Sequence, residues 1–359
     1  MSNPPWEKRL LSIAAVDSLE ILRLIRDAEQ SRLSAEVSSS SVHTVVDALN
    51  RLHDALIARS IQLAEIEMAR LGHGAPPVPY AYLLFGSGGR SEQTMYSDQD
   101  SGLVYANPKG EEQAEQAKRY YREFTAIIVQ SLIVIGYPPC EGSVIASNEE
   151  WCMSLADWEA KIDGWFNEPS WESVRYLLIA ADCRIIQGDW ALAKTLKDRF
   201  FNDMIVNPII AERMLHNTLR HKVLLGVFGQ LLRERYGDDA GSLDIKYGAY
   251  IPMVNAFRLL ALRAGIRETS TLGRIAALQH AGILTIGEAE DAAQAFSFFL
   301  RLRLLGSVAV ENGQFTGSGK LAADKLTKEL IVPLKKALKT GRYYQRKVER
   351  EMNGRFGGR

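Results

Sequence analysis

Apolar side chains recur at three- and four-residue steps, or multiples of them, through VVDALNRLHDALIARSIQLAEIEMARLG. Leu49, Leu52, Leu56, Leu63 and Ile66 mark the stripe, which predicts a long amphipathic helix ending at Gly72. A shorter helical stretch, roughly residues 8 to 31, is expected to pair with it. HGAPPVP then breaks the pattern. After it, YAYLLF and DSGLVYA read as buried strands, EEQAEQAKRYYREFTAIIVQSLIVIG as a helix and VRYLLIAADCRIIQ as another strand. From Asn207 the periodicity is helical almost to the end. Asn207 before Pro208 predicts a capped helix start, and Thr285 with Glu288 predicts a capping box.

These elements predict an α+β chain in three parts. A helical segment over 1–75 leads into a small mixed-sheet domain over 76–205, and an all-helical bundle follows over 206–359. With 359 residues and 47% hydrophobic content the chain is long enough for two or three packed units. The longest nearly uncharged stretch, Phe124 to Tyr137, is too short to cross a bilayer, and the N-terminal residues meet acids too early for a signal peptide, so a cytoplasmic location without membrane contact is expected. Cys140, Cys152 and Cys183 form no metal or disulfide pattern and read as packed or free thiols, and six scattered histidines give no ligand cluster.

Forty-three basic and 43 acidic residues balance, which argues against a nucleic-acid surface. The balance is uneven locally. Residues 76–150 hold five Lys/Arg against ten Asp/Glu, a site for a divalent cation, while the twelve basic and four acidic residues of 320–359 read as a solvated helix face. Near that run, GQFTGSGKL imitates a phosphate loop, but a glutamine stands where the first glycine belongs and Leu321 where a hydroxyl would hold magnesium, so it reads as a linker.

The chemistry concentrates in LLFGSGGRSEQTMYSDQDSGLVY, residues 83–105. Alternation along a strand sends Asp98 and Asp100 to the same side, where two like charges repel and a hard divalent cation such as Mg²⁺ relieves them. Gly86, Ser87, Gly88 and Gly89 follow a buried strand with room for an anion to meet backbone N–H groups. Ser87 adds a hydroxyl and Arg90 a forked cation. Phosphate and metal meeting at one place is the logic of phosphoryl or nucleotidyl transfer.

Gly-Ser, a gap of about ten residues and Asp-x-Asp resemble the signature of the DNA polymerase β-type nucleotidyltransferase superfamily. The fuller string GSGGRSEQTMYSDQDSGLVY resembles a bacterial family of nucleotidyltransferases similar to the N-terminal part of nitrogen-regulator uridylyltransferases and to glutamine synthetase adenylyltransferases. CEGSVIASNEEWCMSLADW, AADCRIIQGDWAL, LDIKYGAYIPMVNAFRLLALRAGI and STLGRIAAL extend the likeness over roughly residues 76–310. The resemblance implies that Gly86, Ser87 and Arg90 bind the triphosphate of an ATP- or UTP-type substrate and that Asp98 and Asp100 hold two Mg²⁺ ions. It also implies a third carboxylate on a later strand, matched by Asp182, that binds the second metal and activates the attacking hydroxyl. The chain departs from the pattern in Gln99, which the broad superfamily replaces by an apolar residue, and in its helical segment over 1–75 where family members often carry sensor domains.

Other residues stay open to two readings. Glu92 orients Arg90 or caps the helix that follows; Lys246 reaches a phosphate from the helical domain or is an exposed loop lysine; Arg213, His216, Arg220 and His221 read as a solvated or domain-contact face. The expected function is transfer of a nucleoside monophosphate to a hydroxyl of a protein or small-molecule acceptor, adenylyl- or uridylyltransferase-like, in signalling or regulation. Its alternative is a nucleotide-sensing or partner-binding module that keeps the pocket without catalysis. A homodimer through the N-terminal helices is a further expectation.

Overall fold

The structure is a computed structural model that describes residues 5–353 except 207, 219–222, 227–228, 238 and 310–314. Three helices come first: α1 (Pro5–Ala14), α2 (Leu19–Glu36) and α3 (Val42–Arg70). The single stretch expected over 8–31 is thus two helices. Ser18 starts the second, its hydroxyl accepting from the backbone N–H of Ile21. Along α3, Leu49, Leu52 and Leu56 are buried as the periodicity predicts, but Ile66 is exposed and Met68 takes the inward position.

A four-stranded sheet follows, built from β1 (Tyr80–Leu84), β2 (Ser101–Tyr105), β3 (Cys152–Ser154) and β4 (Arg184–Gly188) in the order β3-β2-β1-β4. A helical turn, α4 (Gly86–Gly89), leaves the end of β1, and α5 (Glu111–Ile135), α6 (Leu155–Asn167) and α7 (Trp171–Ala180) fill the connections. β1 runs antiparallel to both β2 and β4, whereas β2 and β3 are parallel, so the chain has the α+β class and mixed sheet expected. One expectation fails. VRYLLIAADCRIIQ is helix over most of its first half and strand only from Arg184, because Ser170 caps α7 by accepting from the N–H of Ser173 and the apolar run is long enough to serve both elements.

Every residue of β1 and β2 is buried, since the sheet is covered on both faces. Alternation divides the side chains between two cores. Tyr80, Tyr82 and Leu84 join Leu103 and Tyr105 against α3 and α5; Ala81, Leu83 and Phe85 join Val104 against Trp151, Trp158 and the helices that follow. The second core runs without interruption into the C-terminal helices, whose Phe257, Phe296 and Phe299 belong to it.

Those helices are α8 (Trp190–Val206), α9 (Pro208–Thr218), α10 (Ile251–Arg263), α11 (Thr271–His280), α12 (Ile286–Leu305) and α13 (Lys328–Asn353). Two short ladders interrupt them: β5 (Leu243–Asp244) pairs with β8 (Lys320–Leu321), and β6 (Val308–Ala309) with β7 (Phe315–Thr316). Residues 315–321 of the phosphate-loop imitation thus begin and end in these ladders rather than forming a plain linker. The capping box forms as read: Thr285 accepts from the N–H of Glu288, whose carboxylate accepts from the N–H of Thr285. Thr285→Ala is expected to cost roughly 1 kcal/mol, seen as a lower urea midpoint; an unchanged midpoint would show the cap to be idle. Asn207, the other cap, lies outside the described residues, as do Arg220 and His221. Among the described residues no helix is long and apolar enough to cross a membrane.

Candidate active site

The two aspartates flank the entrance to β2. Gln99 between them makes an isolated bridge to Pro139, and its amide nitrogen donates to the carbonyls of Val129 (3.2 Å) and Tyr137 (2.8 Å). Alternation thus sends Gln99 into the far side, where it ties the segment to the end of α5, and leaves Asp98 and Asp100 at the cleft. An apolar residue would sever those bonds, which is the physical reason for the departure.

The β1–β2 ladder extends past its ends, with the Phe85 N–H donating to the Asp100 carbonyl (2.9 Å), so the glycine turn lies directly beside the carboxylates. Gly86 has φ +51°, and a Cβ there would fall 2.1 Å from Oδ2 of Asp100. A Cβ on Gly89 would fall 2.0 Å from the main-chain oxygen of Asp182 and 2.8 Å from that of Leu84. The glycines serve close approach of backbone to backbone and to a carboxylate. Arg184 steadies the turn from behind: it donates to the Gly88 carbonyl (2.8 Å) while holding Asp54 through both guanidinium nitrogens (2.8 and 2.9 Å). Gly86→Ala is expected to cut activity by tens- to hundreds-fold and to lower the thermal midpoint by a few degrees, because alanine is strained at this positive φ and its Cβ displaces Asp100. A variant with full activity would contradict the closeness of turn and carboxylate.

Asp98, Asp100 and Cys140 each offer a ligand atom, all within 4.8 Å of one another. Burial and the neighbouring Asp98 push the Asp100 carboxyl up to about 6, outweighing the Cys140 hydrogen bond and the charges of Arg90 and Lys246, as expected of two acids sharing a site. Burial and Asp100 push the Cys140 thiol up to about 12, so it stays protonated and hydrogen-bonds Asp100. The hard oxygens remain as ligands, a donor set that suits Mg²⁺ or Mn²⁺. Cys140, read from sequence as a packed or free thiol, is a free thiol in this group.

Asp182 lies elsewhere in its chemistry. It lines the same cavity of about 380 Å³, yet it follows α7 in a turn before β4 and is 1% exposed. Oδ1 accepts from Arg258 Nε (3.0 Å) and Arg274 Nη2 (2.8 Å), and Oδ2 from Arg90 Nη1 (2.6 Å) and Arg258 Nη2. Burial alone would raise its carboxyl, but the three arginines outweigh it and hold Asp182 well below the usual carboxylate range. The structure does not bring this carboxylate into the acidic group with Asp98 and Asp100.

Arg90 is equally committed. Its Nε donates to Glu92 (2.8 Å) and its Nη2 to the Tyr250 hydroxyl (2.9 Å), which itself donates to Glu92. The other oxygen of Glu92 accepts from the backbone N–H of Thr271 (2.6 Å), so Glu92 orients Arg90 as read, but the helix start it serves is that of α11, brought in by packing, and not that of the helix that follows it in sequence. Arg90, Glu92, Asp182, Tyr250, Arg258 and Arg274 form one buried network joining the glycine turn to the C-terminal helices. Sequence reasoning passed over Tyr250, Arg258 and Arg274. The available signal was the one that marked Asp182, an ionic side chain inside an apolar run, here the arginine in FRLLAL.

Gly86, Ser87, Arg90, Asp98, Asp100, Asp182 and Lys246 all line the cavity. Lys246 is not on a plain loop: it opens a π-helical turn, residues 246–250, that runs into α10, and its charge is felt at Asp100. Arg213 donates instead to the Pro169 carbonyl, and His216 is exposed, away from the cleft.

No curated protein matches the chain. Residues 27–172 match the family described as "Putative nucleotidyltransferase DUF294", and residues 208–352 match the "Putative nucleotidyltransferase substrate binding domain". A glycine turn beside paired carboxylates, closed by a helical wall, thus falls across both matched regions, and the chain belongs to this nucleotidyltransferase family.

Proposed function

We propose that the chain transfers a nucleoside monophosphate from a nucleoside triphosphate to a hydroxyl of a protein or small-molecule acceptor, with Mg²⁺ as the metal, in a regulatory setting. The observation that carries this reading is the Asp98–Asp100 pair set against Gly86 at a distance that tolerates no Cβ. Asp98 and Asp100 would hold the divalent ions, which when bound neutralise phosphate charge and polarise the reacting phosphorus. The Ser87 hydroxyl and the backbone N–H groups of the glycine turn receive phosphate oxygens. Lys246 faces them from the helical unit. Asp182 acts through the arginines: by fixing Arg90 and Arg258 it sets the shape and charge of the wall against which the triphosphate lies.

One observation favours a second reading. With both oxygens of Asp182 taken by guanidinium groups, the third carboxylate that the superfamily employs is occupied, as it would be in a nucleotide-binding module that no longer catalyses. Incubation with α-labelled ATP, UTP, GTP or CTP, Mg²⁺ and lysate of the host cell separates them. Transfer of label with release of pyrophosphate supports the enzyme; tight binding without pyrophosphate supports the sensor; the absence of both transfer and binding would overturn both readings. The domain division at residues 75 and 205, a cytoplasmic location and a homodimer through the N-terminal helices complete the reading. Leu11, Leu24 and Ile66, exposed on α1, α2 and α3, support the dimer.

A further inference from the structure

The cleft carries more positive charge than its metal corner explains. Its wall holds the cations Arg90, Arg175, Lys246, Arg258 and Arg303 against the carboxylates of Asp98, Asp100 and Asp182, a net of two positive charges before any metal ion binds. Arg90 and Arg258 are compensated by Asp182. Among the described residues Arg175, Lys246 and Arg303 have no carboxylate within ion-pair distance.

Arg303 is the most constrained of these three. It stands in the last turn of α12, and its guanidinium carbon lies 4.2 Å from the centroid of the Tyr250 ring. That ring is itself fixed, its hydroxyl between Arg90 and Glu92 and its other contacts including a stack on Phe296 with centroids 5.5 Å apart. Nη1 of Arg303 is buried and has no hydrogen-bond partner among the described residues. A guanidinium N–H removed from water without an acceptor is costly, and a flat cation held in one plane is what bidentate recognition of an oxyanion needs. Lys246 lies along the same wall, where Gly319, at φ +77°, leaves the room its side chain fills: a Cβ there would meet Cβ of Lys246 at 2.5 Å.

We propose that Arg303, aided by Lys246, is an anion-recognition residue through which the C-terminal helical unit reads a phosphate group of the substrate. The phosphate belongs either to the tail of the nucleoside triphosphate or to a phosphorylated acceptor. The inference rests on the proposed nucleotidyl transfer only for which of these carries it.

Inorganic pyrophosphate is the probe, used on the full chain by calorimetry and thermal shift. The wild type is expected to be stabilised by pyrophosphate, Arg303→Gln to lose at least about tenfold in affinity, and Arg303→Lys to fall between. Wild-type affinity in Arg303→Gln would overturn the proposal. If the glutamine variant fails to fold, the native chain still decides: phenylglyoxal modification of Arg303, mapped by mass spectrometry, should be slowed by pyrophosphate, and unchanged labelling overturns the proposal. A non-hydrolysable triphosphate and a nucleoside monophosphate separate the sources. Loss for pyrophosphate and the triphosphate but not for the monophosphate assigns Arg303 to the nucleotide tail, whereas loss for pyrophosphate with both nucleotides unaffected assigns it to the acceptor. A wild type that binds pyrophosphate through Arg303 but no Mg²⁺-nucleotide would sink the proposed function and leave this inference standing.

Discussion

Asp182→Asn is expected to destabilise the protein by about 3–5 kcal/mol, because it removes the charge that three buried guanidinium groups share and leaves Glu92 alone against them. The loss should appear as a lowered chemical-denaturation midpoint in the absence of any ligand. Its pH dependence has a definite sign. The folded carboxyl is depressed, so the stabilisation is fully present above the unfolded value, near 3.9, and is lost as pH falls below it toward the folded value. Wild type and variant should therefore converge in stability on the acid side of about pH 4. A variant as stable as wild type but without activity would contradict this account, and would return Asp182 to the metal-binding role that the family resemblance implies.

The second large effect has the opposite signature. Asp98→Asn and Asp100→Asn should each lower transfer activity roughly a thousandfold, equivalent to about 4 kcal/mol of transition-state stabilisation, and abolish the rise in thermal midpoint that Mg²⁺ gives the wild type. Yet Asp100→Asn should make the metal-free protein more stable at neutral pH. Burial and Asp98 raise the folded carboxyl to about 6, so ionised Asp100 opposes folding. That penalty is absent below the unfolded value near 3.9, grows up to about 6 and is complete above it. The variant should gain on the order of 1–3 kcal/mol above that window and nothing below it. Stability gained where activity is lost is the expected trade at a site built around repelling charges. Equal loss of stability and activity would instead mark the pair as structural.

Much of the fold was legible because burial follows period: β1 and β2 are continuous apolar runs, α3 and α5 carry long helical stripes, and Thr285 with Glu288 announces its own helix start. The run before Asp182 misled because apolar continuity alone does not distinguish a buried helix from a strand, and the cap at Ser170 decided it. In the site, Gly86, Ser87, Asp98 and Asp100 are local in sequence, so their chemistry could be read from spacing. The partners of Asp182 could not be. Arg258 and Arg274 come from 76 and 92 residues away, and the packing of α10 and α11 beside the turn before β4 brings them to one carboxylate. Cys140 is similar: nothing in its neighbours announces that the chain after α5 returns beside Asp100.

The central claim is that a divalent ion held by Asp98 and Asp100 is what lets the glycine turn receive a nucleoside triphosphate. Calorimetric titration of a non-hydrolysable triphosphate into wild type and the Asp98→Asn/Asp100→Asn double variant, each with and without Mg²⁺, tests it most directly. The account predicts binding by the wild type with Mg²⁺ at least about a hundredfold tighter than by the double variant or by either protein without the metal. Binding of equal strength in the double variant, or in the wild type stripped of metal, would contradict it.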